Sequence, residues 1–176
     1  MKYKNIVPTL FERVMADDEI IVSKTDTKGK ITYGNRTFQD YSGLTDQEFL
    51  GSQHNIVRHP DMPRAVFKWL WEEIQSGREV FAFVKNLCND GSFYWVFANV
   101  TPSYDLQNNI VGYFSVRRKP NRQALPKVAR LYQEMLNTER QAGSRNAVEA
   151  STKILQHELD NARVSYREWV LNLQTA

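Results

Sequence analysis

The stretch Val80-Phe-Ala-Phe-Val-Lys-Asn-Leu-Cys88, then Asn89-Asp-Gly-Ser92, then Phe93-Tyr-Trp-Val-Phe-Ala-Asn-Val-Thr101 decides the fold. Two runs of β-branched and aromatic residues flank an Asp-Gly pair, which is the signature of a β-hairpin. Downstream, a turn over 105–109 leads into Ile110-Val-Gly-Tyr-Phe-Ser-Val-Arg117, a third strand, and Pro120 ends the run. Upstream, residues 19–26 read as a strand, Thr27-Lys-Gly-Lys30 as its turn, and Ile31-Thr-Tyr-Gly34 as a return strand. Between the two strand groups lie helical segments. Asn35 is placed to cap a short helix carrying Phe38 and Tyr41 and stopped by Gly43, and Thr45 with Glu48 has capping-box spacing. A longer helix carries Phe67, Trp69, Leu70, Trp71 and Ile74 to about Ser76. Two strands, several short helices and three strands in a meander predict an α+β domain: a five-stranded antiparallel sheet with the helices on one face.

The ends are read from periodicity. Residues 5–17 are expected to form a leading helix with Leu10, Phe11 and Val14 on its apolar side. After residue 123 only helical signal remains. Pro126 suits a first helical turn, and Val128, Leu131, Tyr132 and Met135 form one stripe, interrupted by Gly143-Ser144. Beyond it Val148, Thr152, Leu155, Leu159, Ala162, Tyr166, Trp169 and Leu173 recur at heptad steps, which predicts a coiled-coil-like seam seeking a partner surface. The expected organisation is an N-terminal helix or cap over 1–17, an α+β domain over 18–120 and a helical extension over 121–176.

Composition narrows the function. The 176 residues are 41% hydrophobic and 12% aromatic, with 4 Trp, enough for one domain with an aromatic-lined cavity plus an extension. The net charge is only +3, and no Lys/Arg run marks a nucleic-acid or anionic-lipid surface. The single cysteine, Cys88, allows neither an internal disulfide nor a cysteine-based zinc site and suits a reducing compartment. No signal-peptide core and no apolar run near the ~20 residues of a membrane span is present, so the chain reads as soluble and cytoplasmic. No nucleophile elbow, Gly-rich phosphate loop or zinc spacing occurs, so it does not read as an enzyme.

The densest polar segment is Gly51-Ser-Gln-His-Asn-Ile-Val-Arg-His-Pro-Asp-Met-Pro63. Pro60 keeps His59 out of helical geometry, so this is a shaped loop running into the Trp-bearing helix. The arginine fork of Arg58 suits phosphate, and Asp61 suits sugar hydroxyls; equally, the two could pair with each other or cap the next helix. Trp69 and Trp71 point about 200° apart on a helix, so at most one faces a cavity. Asn86 and Asn99 are read as inward-facing amides that a ligand or a nearby backbone group must satisfy, and Asn35 is explained by capping alone. His54 and His59 raise haem ligation as a further option.

The strand–turn–strand, the Asn35 helix, the His54-Asn-Ile-Val-Arg-His-Pro-Asp-Met-Pro63 string and the Tyr94-Trp95 strand after its turn resemble a PAS domain, specifically that of the Aer-type aerotaxis (energy-taxis) receptors. The likeness covers roughly residues 15–135. It implies non-covalent FAD, held by a set comprising Asn35, His54, Asn55, Arg58, His59, Asp61, Trp71, Asn86, Tyr94 and Asn99. It also implies a redox or oxygen signal passed to a chemotaxis output. Those receptors continue into a membrane anchor and a methyl-accepting-type signalling region that this sequence lacks. A stand-alone PAS protein is therefore expected, a homodimer or oligomer through its helices with a separate membrane-bound transducer as signalling partner; the alternatives are a ligand-free PAS interaction module and a haem-binding PAS gas sensor. Cys88 lies at a strand end rather than in the helical Asn-Cys-Arg string of LOV photoreceptors, which argues against blue-light adduct chemistry.

Overall fold

The computed structural model describes residues 6–176. Its centre is a five-stranded antiparallel sheet: β1 (Ile21–Asp26), β2 (Ile31–Gly34), β3 (Val80–Leu87), β4 (Phe93–Tyr104) and β5 (Ile110–Arg118), in the order β2-β1-β5-β4-β3. The first hairpin is closed by Asp26, whose carboxylate accepts from the Lys28 and Lys30 backbone N–H groups. Register then sorts the side chains. Val80, Ala82, Val84 and Asn86 of β3 stand opposite Val100, Ala98, Val96 and Tyr94 of β4, on one face. Phe81, Phe83 and Lys85 stand opposite Asn99, Phe97 and Trp95, on the other. Both faces are apolar, so both need cover.

The first face is covered by α1 (Arg36–Ser42), α2 (Asp46–Phe49), a 3₁₀ turn (His54–Val57) and α3 (Arg64–Gln75). Their starts are where the sequence puts caps. Asn35 Oδ1 accepts from the Phe38 and Val22 N–H groups while its amide donates to Ile20 O, tying α1 to β1. Thr45 and Glu48 form the capping box of α2. Phe38 and Phe49 meet edge to face at 5.0 Å beneath the sheet.

The opposite face, beside β3, is covered by α4 (Leu125–Ala162) and α5 (Tyr166–Thr175). Gly143, at φ 71° and ψ 167°, is non-helical and folds α4 back on itself. Lys127 and Glu158 pair at 2.8 Å across the two arms, whereas a straight helix would hold them about 45 Å apart. Tyr132 donates to the Phe83 carbonyl at 2.9 Å and its ring lies 6.2 Å from Trp95. Tyr166 of α5 packs on Trp69 of α3 at 4.0 Å. Asn121 then ties the C-terminal end back to the end of the sheet through Leu173 O and Gln174.

Two expectations fail. Residues 6–16 form no helix: Thr9 N–H donates to Gly91 O, Phe93 N–H to Phe11 O and Arg13 N–H to Phe93 O, so the segment lies extended along the β4 turn. Position 5 lies outside the described residues. Leu10, Phe11 and Val14 are exposed and Met15 is the residue that buries. A helix this short is marginal in water, and pairing to an open strand end satisfies the same backbone groups. The continuous heptad helix also fails. Arg163 turns left-handed at φ 56°, and Ser165 with Glu168 opens a new helix with its own capping box. Leu155, Leu159, Tyr166 and Trp169 are buried in this chain's own core, while Thr152 and Ala162 are exposed.

Candidate functional site

Between the first face of the sheet and α3 lies a cavity of about 270 Å³. Its floor is Ser23 and Thr25 of β1, Val84 and Asn86 of β3, Ala98 and Val100 of β4, and Tyr113, Ser115 and Arg117 of β5. Phe67, Lys68, Leu70, Trp71 and Ile74 of α3 form the roof, and Gln53, His54, Asn55 and Arg58 form one wall. That wall is held to the edge of β3 by a bridge between Arg58 and Asn86 and by the His59 N–H donating to Lys85 O. Trp71 meets Tyr113 edge to face at 5.5 Å. It can lie there because residue 29 is glycine: a Cβ on Gly29 would stand 2.8 Å from its ring.

The polar centre is Arg117, which is 2% exposed. Its Nε donates to Ser115 Oγ at 3.0 Å, and its Nη2 donates to Ser23 Oγ and to His54 Nε2, the latter at 2.8 Å. A guanidinium only donates, so His54 Nε2 accepts and the ring proton sits on Nδ1. Burial, then the Arg117 charge, pushes the His54 pKa down to about 3, and burial lowers that of Arg117 to about 10. At neutral pH the pair is a neutral imidazole beside a cation. The cavity lining holds Arg58, Lys68 and Arg117 and no carboxylate. Three buried polar atoms of lining residues, Arg117 Nη1, Asn86 Nδ2 and Thr25 Oγ1, have no hydrogen-bond partner among the described residues. A buried cation and buried donors left this way cost free energy that a ligand with acceptor atoms would recover.

Of the ten residues expected in the site, His54, Asn55, Arg58, Trp71 and Asn86 line the cavity. The structure corrects the placement of the other five. Asn99 is on the opposite face of the sheet, donating to Glu79 at 3.2 Å, because the register pairs it with Phe81 rather than Asn86. Asn35 is spent on capping α1. His59 is buried 5.8 Å from the Phe93 ring, with Nδ1 accepting from the Asp61 N–H, outside the lining. Asp61 pairs with Lys85 at 2.7 Å; burial is the largest single effect and opposes its charge, but the Lys85 bond together with the charges of Lys85, His59 and Arg140 holds its pKa down. Tyr94 is fully buried against Tyr41 at 5.2 Å, beyond the cavity floor. Arg117, Ser23, Thr25, Gln53, Lys68, Tyr113 and Ser115 are polar or aromatic residues of the lining that the sequence reading did not name for the site. The alternation Tyr113, Ser115, Arg117 was the signal, but Arg117-Arg-Lys119 at a strand end reads as a solvated basic run.

An antiparallel sheet closed over a small aromatic and cationic cavity by short helices defines an α+β module of the PAS type. The chain belongs to the PAS family, whose fold model matches residues 11–119. It is 40% identical over 121 residues to the aerotaxis receptor of Escherichia coli (strain K12), covering 69% of this chain and 24% of the receptor. It is 23% identical to a nitrogen fixation regulatory protein of Klebsiella pneumoniae over 63% of this chain and 22% of that protein. The chain thus spans about a quarter of the length of these curated relatives. Among solved structures it is similar to the blue-light photoreceptor aureochrome1 LOV in its dark structure, with 27% identity, a TM-score of 0.53, and coverage of 68% of this chain and 86% of that one. No helix among the described residues is long and apolar enough to cross a membrane.

Proposed function

We propose that this PAS domain binds a flavin, FAD, without a covalent bond and reports its redox state. The observation that carries the reading is an apolar cavity walled by Trp71, Phe67 and Tyr113 with the buried cation Arg117 in its floor, whose Nη1 has no hydrogen-bond partner among the described residues. An isoalloxazine ring is flat, apolar on its faces and lined with acceptor atoms on one edge, which is the shape and polarity this lining complements. The likeness to an aerotaxis receptor and to a LOV photoreceptor supports the same ligand class. When bound, the flavin would supply reversible electron uptake. Trp71 and Tyr113 would pack against it and keep water out. Arg117 and Asn86 would donate to its polar edge, and neutral His54 would hold the guanidinium in place. At the rim Arg58, Asn55 and Lys68 would receive the charged tail.

Arg117 is held by β1 through Ser23 and by the loop through His54, so a change of charge at the polar edge acts on three elements at once. In this reading the flanking helices carry the change to a second copy of the chain or to a methyl-accepting-type transducer, in the cytoplasm. Haem is disfavoured by geometry. His54 Nε2 is engaged by Arg117 and Ser23, and His59 lies outside the cavity lining. An absorption spectrum of freshly purified protein, followed by FAD titration of the flavin-free fraction, tests the proposal. A flavin spectrum or stoichiometric uptake is expected; neither appearing refutes it.

A further inference from the structure

We propose that Glu139, on the first arm of α4, is a positioning residue for the cavity. Its carboxylate fixes the start of α3 and steadies Arg58, and so links occupancy of the cavity to the C-terminal helices. The inference rests on the ligand-binding reading above and adds to it a named route out of the site.

The start of α3 is the weak point of the cavity roof. Pro63 occupies the cap position and offers no side-chain bond, so the first N–H groups of the helix need an acceptor from elsewhere. Glu139 supplies one: its Oε1 accepts from the Ala65 N–H at 3.1 Å, across 74 residues of sequence. The residue is only 7% exposed, unusual for a glutamate, and a carboxylate suits the positive end of a helix. The same charge reaches Arg58. Burial lowers the Arg58 pKa and Glu139 raises it, while the guanidinium donates to Met62 O at 2.8 Å and lies 4.4 Å over the Phe67 ring. One carboxylate therefore acts on both a wall residue of the cavity and the helix that forms its roof.

Helix α3 is thus clamped from two sides. Phe67, Trp71 and Ile74 face the cavity, whereas Ala65 and Trp69 are held by α4 and α5. A ligand that packs on Trp71 or bonds Arg58 shifts the balance at the first turn of α3, where Glu139 is attached. By linkage, any such effect of ligand on α4 must be matched by an effect of Glu139 on ligand affinity.

The test uses the full chain, FAD as probe, and hydrogen exchange read by peptide. Glu139→Gln keeps an oxygen able to accept from Ala65 but loses the charge, and Glu139→Ala loses both. Lys153→Ala removes the exposed Lys153–Glu149 pair on the second arm of α4. We expect the alanine variant to weaken FAD binding about tenfold, the glutamine variant about threefold, and Lys153→Ala to leave it unchanged. FAD should slow exchange over 131–147 in the parent protein and not in Glu139→Ala. Parental affinity and parental coupling in the alanine variant overturn the proposal, as does an equal loss in Lys153→Ala. If Glu139→Ala does not fold, the glutamine variant decides by the same criteria. If the parent takes up no FAD, the flavin reading falls and the Glu139 contact is judged without ligand. Faster exchange at the first turn of α3 in the Glu139 variants supports it, and unchanged exchange overturns it.

Discussion

Replacing Arg117 by methionine separates a ligand-binding arginine from a structural one, because the structure assigns opposite signs to its two effects. Without ligand, the substitution removes three hydrogen bonds, to Ser115, Ser23 and His54. It also removes a buried cation that has no carboxylate in the cavity lining. The bonds contribute about 1.5–3 kcal/mol each because they are charge-assisted, and an uncompensated buried charge costs several kcal/mol, so the two are similar in size and opposite in sign. Ser23 Oγ already lies 3.0 Å from His54 Nε2 and can donate to it once the guanidinium is gone. The expected change in stability of the flavin-free protein is therefore within about 1 kcal/mol by urea denaturation. With flavin the sign is not in balance. One charge-assisted bond from Nη1 is worth about 1.5–3 kcal/mol, so the Kd for FAD should rise roughly ten- to a hundredfold in a fluorescence titration. The His54 pKa should also rise, since the neighbouring charge that depresses it is gone. An unchanged Kd together with a loss of more than about 3 kcal/mol in stability would refute the reasoning and make Arg117 a structural residue.

The two α3 tryptophans should separate in the same way. Trp71→Ala is expected to weaken FAD binding by at least tenfold, whereas Trp69→Ala should cost about 2–4 kcal/mol of stability through its lost contact with Tyr166 and leave the Kd nearly unchanged. Gly143→Ala puts a side chain at φ 71° and raises helix propensity at the reversal; destabilisation of about 1–3 kcal/mol and a shift toward a helix-swapped dimer in light scattering are expected, and a stable monomer counts against the hairpin. Acid should unfold the protein early. Burial holds the pKa values of His54 and His59 near 3 and 4 in the folded chain, against an ordinary 6.5, so both bind protons first in the unfolded chain. Stability is then fully present above about pH 6.5 and falls by a few kcal/mol as pH drops toward 4, and a flat profile between pH 7 and 4 would contradict this.

Features set by near neighbours in the chain were legible in advance. Each strand of the meander carries its own alternation and turn, so β2 through β5 stand within a few residues of where the sequence puts them. The caps at Asn35 and Thr45 act within one helical turn, and the structure keeps both. The opposite directions of Trp69 and Trp71 follow from helix geometry; the resemblance chose Trp71, and the structure places Trp71 on the cavity and Trp69 against α5. The heptad count failed where a local signal, the Ser165–Glu168 capping box, should have outweighed it.

Local sequence thus dictates the α+β sheet, its hairpins, and a polar loop delivering Arg58 to the start of an aromatic helix, because each rests on residues close together along the chain. Which face each strand residue takes is settled later, since register depends on pairing between strands. That pairing moved Asn99 out of the site and brought Arg117 in. Packing likewise turns the C-terminal helices inward, because their apolar stripe fits this sheet and a glycine lets the chain reverse. A carboxylate on α4 capping a helix 74 residues earlier is legible only once that reversal is made.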